Sequence, residues 1–403
     1  MTTFCTKTWE QLELSKIANV YDGTHQTPNY QKSGIMFLSV ENIKTLKSNK
    51  YISKEDFEIT YKVYPQKDDI LMTRIGDIGT VNIVQTNDPI AYYVSLALIK
   101  PFNINPYFLK FSISSDSVQR DLWKRTLHIA FPKKINKNEI RKIQINFPKE
   151  EEQIPIGKIL EIVKNCITLQ QRQLDLYKKL KKGLLQKLFP KDGEKVPEVR
   201  FANFHDTWEQ DKFLNRIDSI IDFRGKTPKK LGMSWSKKGY LALSALNVKN
   251  GYIEKDIETH YGNEKLYKKW MGERELRKGQ VLFTTEAPMG NVAQIPDDDK
   301  YILSQRTIAF NVNKNKITND FLAILLNSPM VFNDLSSLSS GGTAKGVSQK
   351  SLQSLKVTMP SDLEEQIKIS SFFKHLEKLL TLQQTEINEL KALKKYLLQK
   401  LFI

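Results

Sequence analysis

Residues 168–189 read TLQQRQLDLYKKLKKGLLQKLF and residues 381–402 read TLQQTEINELKALKKYLLQKLF. Fourteen of these 22 positions are identical without a gap, at a constant offset of 213. Chance does not produce such a match, and internal repetition on this scale governs how the whole chain is organised. The likeness extends upstream, where Glu151-Glu152-Gln153-Ile154 answers Glu364-Glu365-Gln366-Ile367 at the same offset. Further upstream it weakens but keeps its order. Trp9-Glu10-Gln11 answers Trp208-Glu209-Gln210, and Phe37-Leu38-Ser39 through Asn42 answers Ala242-Leu243-Ser244 through Asn247. KDDILMTRIGDIGTV (67–81) resembles KGQVLFTTEAPMGNV (278–292), and Pro148 or Pro360 precedes each acidic helix start. The chain is therefore written twice, as variable head, repeated helix, variable head, repeated helix, and its natural end state is a pseudo-two-fold molecule. The Trp9 to Trp208 offset is 199 against 213 for the helices, which places 14 extra residues in the second head.

Alternating steps of three and four residues through the first repeat give Ile156, Leu160, Val163, Ile167, Gln170, Leu174, Tyr177, Lys181, Leu184 and Leu188. The second repeat gives Ile369, Phe373, Leu376, Leu380, Gln383, Ile387, Leu390, Lys394, Leu397 and Leu401. A spacing of 3.5 with a narrow apolar stripe is a coiled-coil seam. Gln170 and Gln383 either set its register or mark a solvated point. Glu150, Glu151, Glu152, Glu364 and Glu365 suit the positive N-terminus of a helix, and the later lysines suit its C-terminus. Rods of about 39 residues rising 1.5 Å each reach nearly 60 Å. Packed antiparallel, they would hold two heads at opposite ends of a spacer, more than one turn of a nucleic-acid duplex apart.

At 403 residues the chain is long enough for two or three domains. Lysine and arginine outnumber the acids by 62 to 45, a formal charge of +17 that points to a polyanionic partner. Cys5 and Cys166 are too few and too far apart for a disulfide framework or a cysteine zinc site, so a reducing cytoplasm is the expected compartment. No window approaches the roughly 18 apolar residues of a membrane helix, and MTTFCTKTWE lacks a signal-peptide core.

Within each head, short runs rich in β-branched and aromatic residues read as strands: 34–40, 69–72, 80–84 and 91–99 in the first. Pro106–Lys124 and Thr318–Leu326 read as helices, so α/β heads are expected. The loops between them carry the residue types that bond phosphates and base edges. In the first head the candidates are Thr24, His25, Gln26, Arg74, Asp77, Lys133, Lys134 and Lys137. In the second they are Arg224, Lys226, Thr227, Lys229, Lys230, Thr285, Lys345 and Ser348.

Catalytic readings fail on their own chemistry. His25 has no evident partner, and Gly76–Gly79 is a lone GxxG. Gly341 to Gly346 has P-loop glycine spacing, but Val347 stands where lysine is required. Asn87-Asp88-Pro89-Ile90 lacks the second proline and the aromatic residue of an amino-methyltransferase motif, and five histidines form no zinc motif. No catalytic residue and no metal ligand is expected in this chain.

Paired EEQI…LLQKLF helices following two divergent heads, each opening with Trp-Glu and containing DILMTRIGDIG or QVLFTTEAPMG, resemble the specificity subunits of type I restriction-modification systems. The resemblance covers nearly the whole chain. It implies target-recognition domains at 1–149 and 205–360, conserved spacer helices at 150–189 and 361–403 in an intramolecular antiparallel coiled coil, and a linker at 190–204. Each head would read one half of a bipartite site in double-stranded DNA, and unlike loops would make the halves unlike. The helices would dock two modification subunits that bring S-adenosylmethionine, with restriction subunits adding ATP and Mg²⁺ in the assembled complex on bacterial DNA. The rival readings are a coiled-coil scaffold with basic heads, or the recognition subunit of a related restriction system.

Overall fold

In a computed structural model of the chain, residues 9–257, 259–339 and 346–402 are described; Cys5 and Lys345 lie outside them. The chain divides into two compact units, one formed by 1–172 with 385–403 and the other by 173–384.

The first head contains β1 (Glu10–Glu13), β2 (Ala18–Asp22), β3 (Ile35–Leu38), β4 (Tyr51–Ile52) and α1 (Lys54–Thr60). Strands β5 (Ile70–Ile75), β6 (Asp77–Ile83), β7 (Ile90–Tyr92) and β8 (Leu96–Pro101) follow. After them come α2 (Pro106–Ile113), α3 (Asp116–Lys124), α4 (Lys137–Arg141) and β9 (Gln144–Phe147). An antiparallel sheet runs β2-β8-β5-β6, a second runs β4-β3-β7 with β3 and β7 parallel, and β1 pairs β9. The apolar run at 91–99, expected as one strand, is two. It pairs with β3 through Tyr92, then crosses to β5 beyond Ser95, whose carbonyl accepts from the Arg74 N–H. Likewise the segment from Pro106 to Lys124 is two helices, because the Ser115 hydroxyl turns back to the Ser112 carbonyl and ends α2.

The long helix α5 spans Glu150–Lys187. The second head then begins with β10 (Glu209–Lys212), β11 (Ile217–Asp222), β12 (Tyr240–Leu243), β13 (Val248–Lys249) and β14 (Tyr252–Ile253). Next are β15 (Tyr261–Gly262), α6 (Glu264–Met271), β16 (Val281–Thr284), β17 (Val292–Gln294), β18 (Ile302–Leu303) and β19 (Thr307–Val312). It closes with α7 (Asn319–Asn327), α8 (Pro329–Leu338), α9 (Gln349–Ser354) and β20 (Lys356–Met359), before helix α10 (Leu363–Leu401). Its sheets run β11-β19-β16-β17 and β15-β12-β18, with β10 on β20, so the strand order of the first head is repeated. The added residues are local. The offset rises from 200 at Asp22/Asp222 to 205 at Gly34/Gly239 and 210 at Ile52/Gly262, and the hairpin β13–β14 fills part of the difference.

Several anchors keep their chemistry across the divergence. Ser39 and Ser244 each close a turn through the amide oxygen of Asn42 or Asn247. Gly34 and Gly239 both sit at φ 132°, where a Cβ would lie 2.3 Å from the carbonyl oxygen of Ile52 or Gly262. Only glycine fits there. The glutamine of each EEQI motif is a clamp: buried Gln153 donates to the Pro148 carbonyl and accepts from the Asn105 N–H, and Gln366 does the same with Pro360 and Thr318. Each long helix is thereby bonded to the start of the head helix beside it.

The phenylalanine ending each LLQKLF completes a head. In the first unit Phe402 lies 6.2 Å from Trp9 and 5.2 Å from Phe108, centroid to centroid. In the second, Phe189 lies 5.8 Å from Trp208 and 6.0 Å from Phe321. None of the twenty residues of the two apolar stripes is exposed. Within the first unit Gln170 donates to Glu386 at 2.8 Å, and Ile156 and Leu160 share a core with Phe402. Within the second, Lys181 pairs with Glu377, and Leu188 shares a core with Ile369 and Phe373. In both units the helix segments run antiparallel. Phe321, Leu322, Leu325 and Leu326 of α7 and Val331 and Leu335 of α8 are buried in the core of the second head, and among the described residues no single helix is long and apolar enough to cross a membrane.

Candidate nucleic-acid interface

Hydrogen bonds gather the candidate loops of the first head at one end of its sheets. The Thr24 carbonyl accepts from Val94 and its N–H donates to Tyr92, which places 23–28 beside 93–95. The Gly76 N–H donates to the Lys133 carbonyl at 2.8 Å, and Ile135 donates to the Arg74 carbonyl at 3.0 Å, which draws in 127–137.

Arg74, one of the candidate DNA contacts, is engaged inside the head. Its side chain is only 8% exposed, pairs with Asp22 and donates from Nε to the Ile135 carbonyl. Lys137 also faces Asp22, at 3.3 Å. Both residues therefore shape the loop cluster from within. His25, Gln26, Asp77, Lys133 and Lys134 are exposed on it, and Lys133 lies over the Trp123 ring at 4.5 Å. Thr24 is half-buried, its hydroxyl accepting from the Gln26 N–H to tighten the turn.

The second head makes the same staple from another arginine. Arg224 donates to Asp222 from its backbone N–H, Nε and Nη2, and from Nη1 to the Val347 carbonyl at 3.0 Å, while Val347 donates to the Thr285 carbonyl. Burial pushes the Asp222 carboxyl up, but hydrogen bonds from the Arg224 side chain and backbone outweigh it and hold the group below the usual carboxylate range. Lys226 is likewise engaged, donating to the Trp270 carbonyl at 2.6 Å; burial, with the nearby Arg274 charge, lowers its ammonium pKa. The Lys230 ammonium caps the Gly225 carbonyl at 2.7 Å, and the Thr227 hydroxyl accepts from the Lys230 N–H. Ser348 caps α9 through the Ser351 N–H, and Thr285 is buried. Lys229 is exposed.

Sequence reading passed over an adjoining cleft of about 450 Å³ lined by Lys226, Thr227, Trp235, His260, Gln305 and Arg306. The Trp235 and His260 rings stack 5.6 Å apart at 12°. The signal was present in the extra residues of the second head, which bring in Trp235. The cleft combines a flat aromatic surface with cationic and amide edges, the chemistry that stacks and hydrogen-bonds planar groups.

On the helices, the seam residues are turned inward, and a different set of apolar side chains faces outward. Ile154 and Ile367, Ile159 and Phe372, Leu169 and Leu382, and Leu180 and Leu393 are all exposed, each pair at the repeat offset.

Comparison with known proteins places this architecture. Residues 6–177 and 210–392 each match the family model described as the type I restriction modification DNA specificity domain. A protein named as the MjaX type I restriction enzyme specificity subunit of Methanocaldococcus jannaschii is 25% identical over 409 residues, covering 98% of this chain and 92% of its own. The MjaVIII specificity subunit of the same organism is 26% identical over 275 residues, 66% of this chain and 63% of that protein. Among solved structures, the type I S subunit from M. genitalium superposes with a TM-score of 0.65 at 13% identity, covering 100% of this chain and 98% of its own. A chain from a study of assembly and conformational transition of the type I system gives 0.55 at 15% identity, covering 98% and 97%. Two copies of one specificity domain, each closed by a long repeated helix, make this chain a member of the family of type I restriction-modification specificity subunits.

Proposed function

We propose that the chain is the non-catalytic DNA-reading subunit of its system, each head contacting one half of an asymmetric bipartite site in double-stranded DNA. The observation that carries this reading is the repeated staple. Two heads with unlike loops spend a buried or half-buried arginine–aspartate pair on the same task, holding a loop against the end of strand β5 or β16. What is kept is the platform, and what varies is the loop surface, as a pair of readers of different sequences requires.

The helices set the half-site spacing and dock two methyltransferase subunits. Exposed apolar residues recurring at one offset give two equivalent faces, which suits two copies of one partner. Those partners supply S-adenosylmethionine, and the restriction subunits supply ATP with Mg²⁺, inside the cell on DNA. The test is to co-express the chain with its methyltransferase subunit and map adenine methylation across the host genome. One bipartite motif with two unlike halves and a fixed gap is the expected result. A stable complex without any motif would instead support the scaffold reading.

A further inference from the structure

The segment Leu127–Lys134 of the first head is firmly held at its base and bare at its tip. Leu127 donates to the Lys134 carbonyl at 2.8 Å, Lys134 bridges Ile75, and the Lys133 carbonyl accepts from Gly76. Arg74 fixes the next residue through the Ile135 carbonyl. Beyond this base, Ile129 is 99% exposed and Phe131 103% exposed, with Trp123 beside them at 55%. The indole is itself held, since His128 packs on it at 4.3 Å and Lys133 covers its face. Two fully exposed large apolar side chains on an anchored hairpin are a costly surface unless something covers them.

The surroundings identify the occupant. Lys124, Lys133 and Lys134 are exposed around the tip, and the hairpin is bonded directly to the strand end that carries the candidate DNA-contacting loops. A polyanion with an apolar interior fits that combination, and a base-pair stack bounded by phosphates is such a partner. The equivalent stretch of the second head, Ser339-Ser340-Gly341-Gly342-Thr343-Ala344-Lys345-Gly346, has no large apolar residue in its sequence.

We infer that the hairpin tip of the first head is a wedge, with Phe131 and Ile129 entering the stack of the half-site that this head reads and unstacking one base step. Lysines of the rim hold the flanking phosphates. The inference rests on the DNA reading proposed above and adds that the two heads read differently, one by wedging and one without it.

The experiment uses the chain in complex with its methyltransferase subunits and duplexes bearing the motif found by methylation mapping, with 2-aminopurine placed step by step along each half. Wild-type complex should raise fluorescence at one step of one half-site only. Ile129→Ser with Phe131→Ser, both at exposed positions, should abolish that signal, weaken binding about tenfold and relax sequence preference in that half, leaving the other half as sharp as before. Unstacking absent from wild type overturns the wedge, as does a double variant that binds and methylates normally. A variant that loses its partner subunits while DNA binding persists also overturns it, and assigns the tip to protein contact. No DNA binding by the wild-type complex would overturn the DNA reading and the wedge together, and is told apart from the other failures by that first measurement.

Discussion

Asp22 and Asp222 occupy equivalent strand ends, yet the arginines they hold come from different places in the sequence. Arg74 arrives from β5 and is sealed inside the first head, whereas Arg224 follows β11 by two residues and stays one-third exposed. Both deliver a guanidinium N–H to the carbonyl at Ile135 or Val347. The two heads share the bond, while the position that supplies the arginine differs. A second contrast runs the other way. Glu152 and Glu365 are equivalent in sequence, but Glu152 is exposed, while Glu365 is buried against the Arg200 fork at 2.7 and 2.8 Å and the Trp208 indole N–H.

The second contrast gives the largest expected effect. Glu365→Ala strands Arg200 in a nearly closed site and should destabilise the second unit by about 3–5 kcal/mol. Glu152→Ala should change stability by less than about 0.5 kcal/mol, both read by denaturant unfolding. Equal effects would show that the first unit has a compensating contact for Glu152. The aromatic closures test equivalence from the other side: Phe189→Ala and Phe402→Ala should each cost about 3 kcal/mol, because each removes a packed ring from the cluster that completes a head. Next come the staples. Asp22→Ala leaves Arg74 buried without its counter-ion and should cost about 2–3 kcal/mol. Asp222→Ala frees a partly solvated Arg224 and should cost about 1 kcal/mol or less. Amide hydrogen exchange at Ile135 and Val347 would separate loosening of the loop from global unfolding.

Smaller changes are expected at the exposed lysines. Lys134→Ala and Lys229→Ala should weaken DNA binding alike across sequences, each lowering the salt slope by about one unit if it meets one phosphate. A slope unchanged in one variant would remove that lysine from the interface.

A separate test concerns pH. Buried Lys110 bonds Glu161 at 2.5 Å, with Lys164 on the same glutamate and Lys394 nearby. In the second unit the equivalent of Lys164 is Glu377, which satisfies Lys181; in the first, lysine faces lysine. Burial lowers Lys110 from 10.5 to about 8, against the opposing pull of Glu161, and burial also lowers Lys394. Below about pH 8 Lys110 is charged in both folded and unfolded chains. Between that point and 10.5 the folded chain binds fewer protons than the unfolded one, so the first unit should gain stability as pH rises. Lys110→Met should flatten that rise in denaturant unfolding followed from pH 8 to 10.

Repetition made the order of heads and helices readable, and the 3.5-residue stripe identified inward-facing positions, because helix periodicity is a local property. Strand existence was legible for the same reason, from runs such as DILM and GIMFLSV. The sequence marks Arg74 as a candidate DNA contact but not its burial, because charge shows in sequence and burial does not. The bond partners of Gln153 and Gln366 were hidden for the same reason, since they lie 48 residues away at Asn105 and Thr318.

By itself, then, the sequence determined the duplicated plan, the helical seam and the basic character of the chain, all of which follow from residue type and spacing. Tertiary structure decided which arginines are staples, which apolar residues of the helices face out, and that Ile129 and Phe131 stand bare on an anchored tip. Those outcomes depend on contacts between residues far apart in the chain, and no local pattern encodes them.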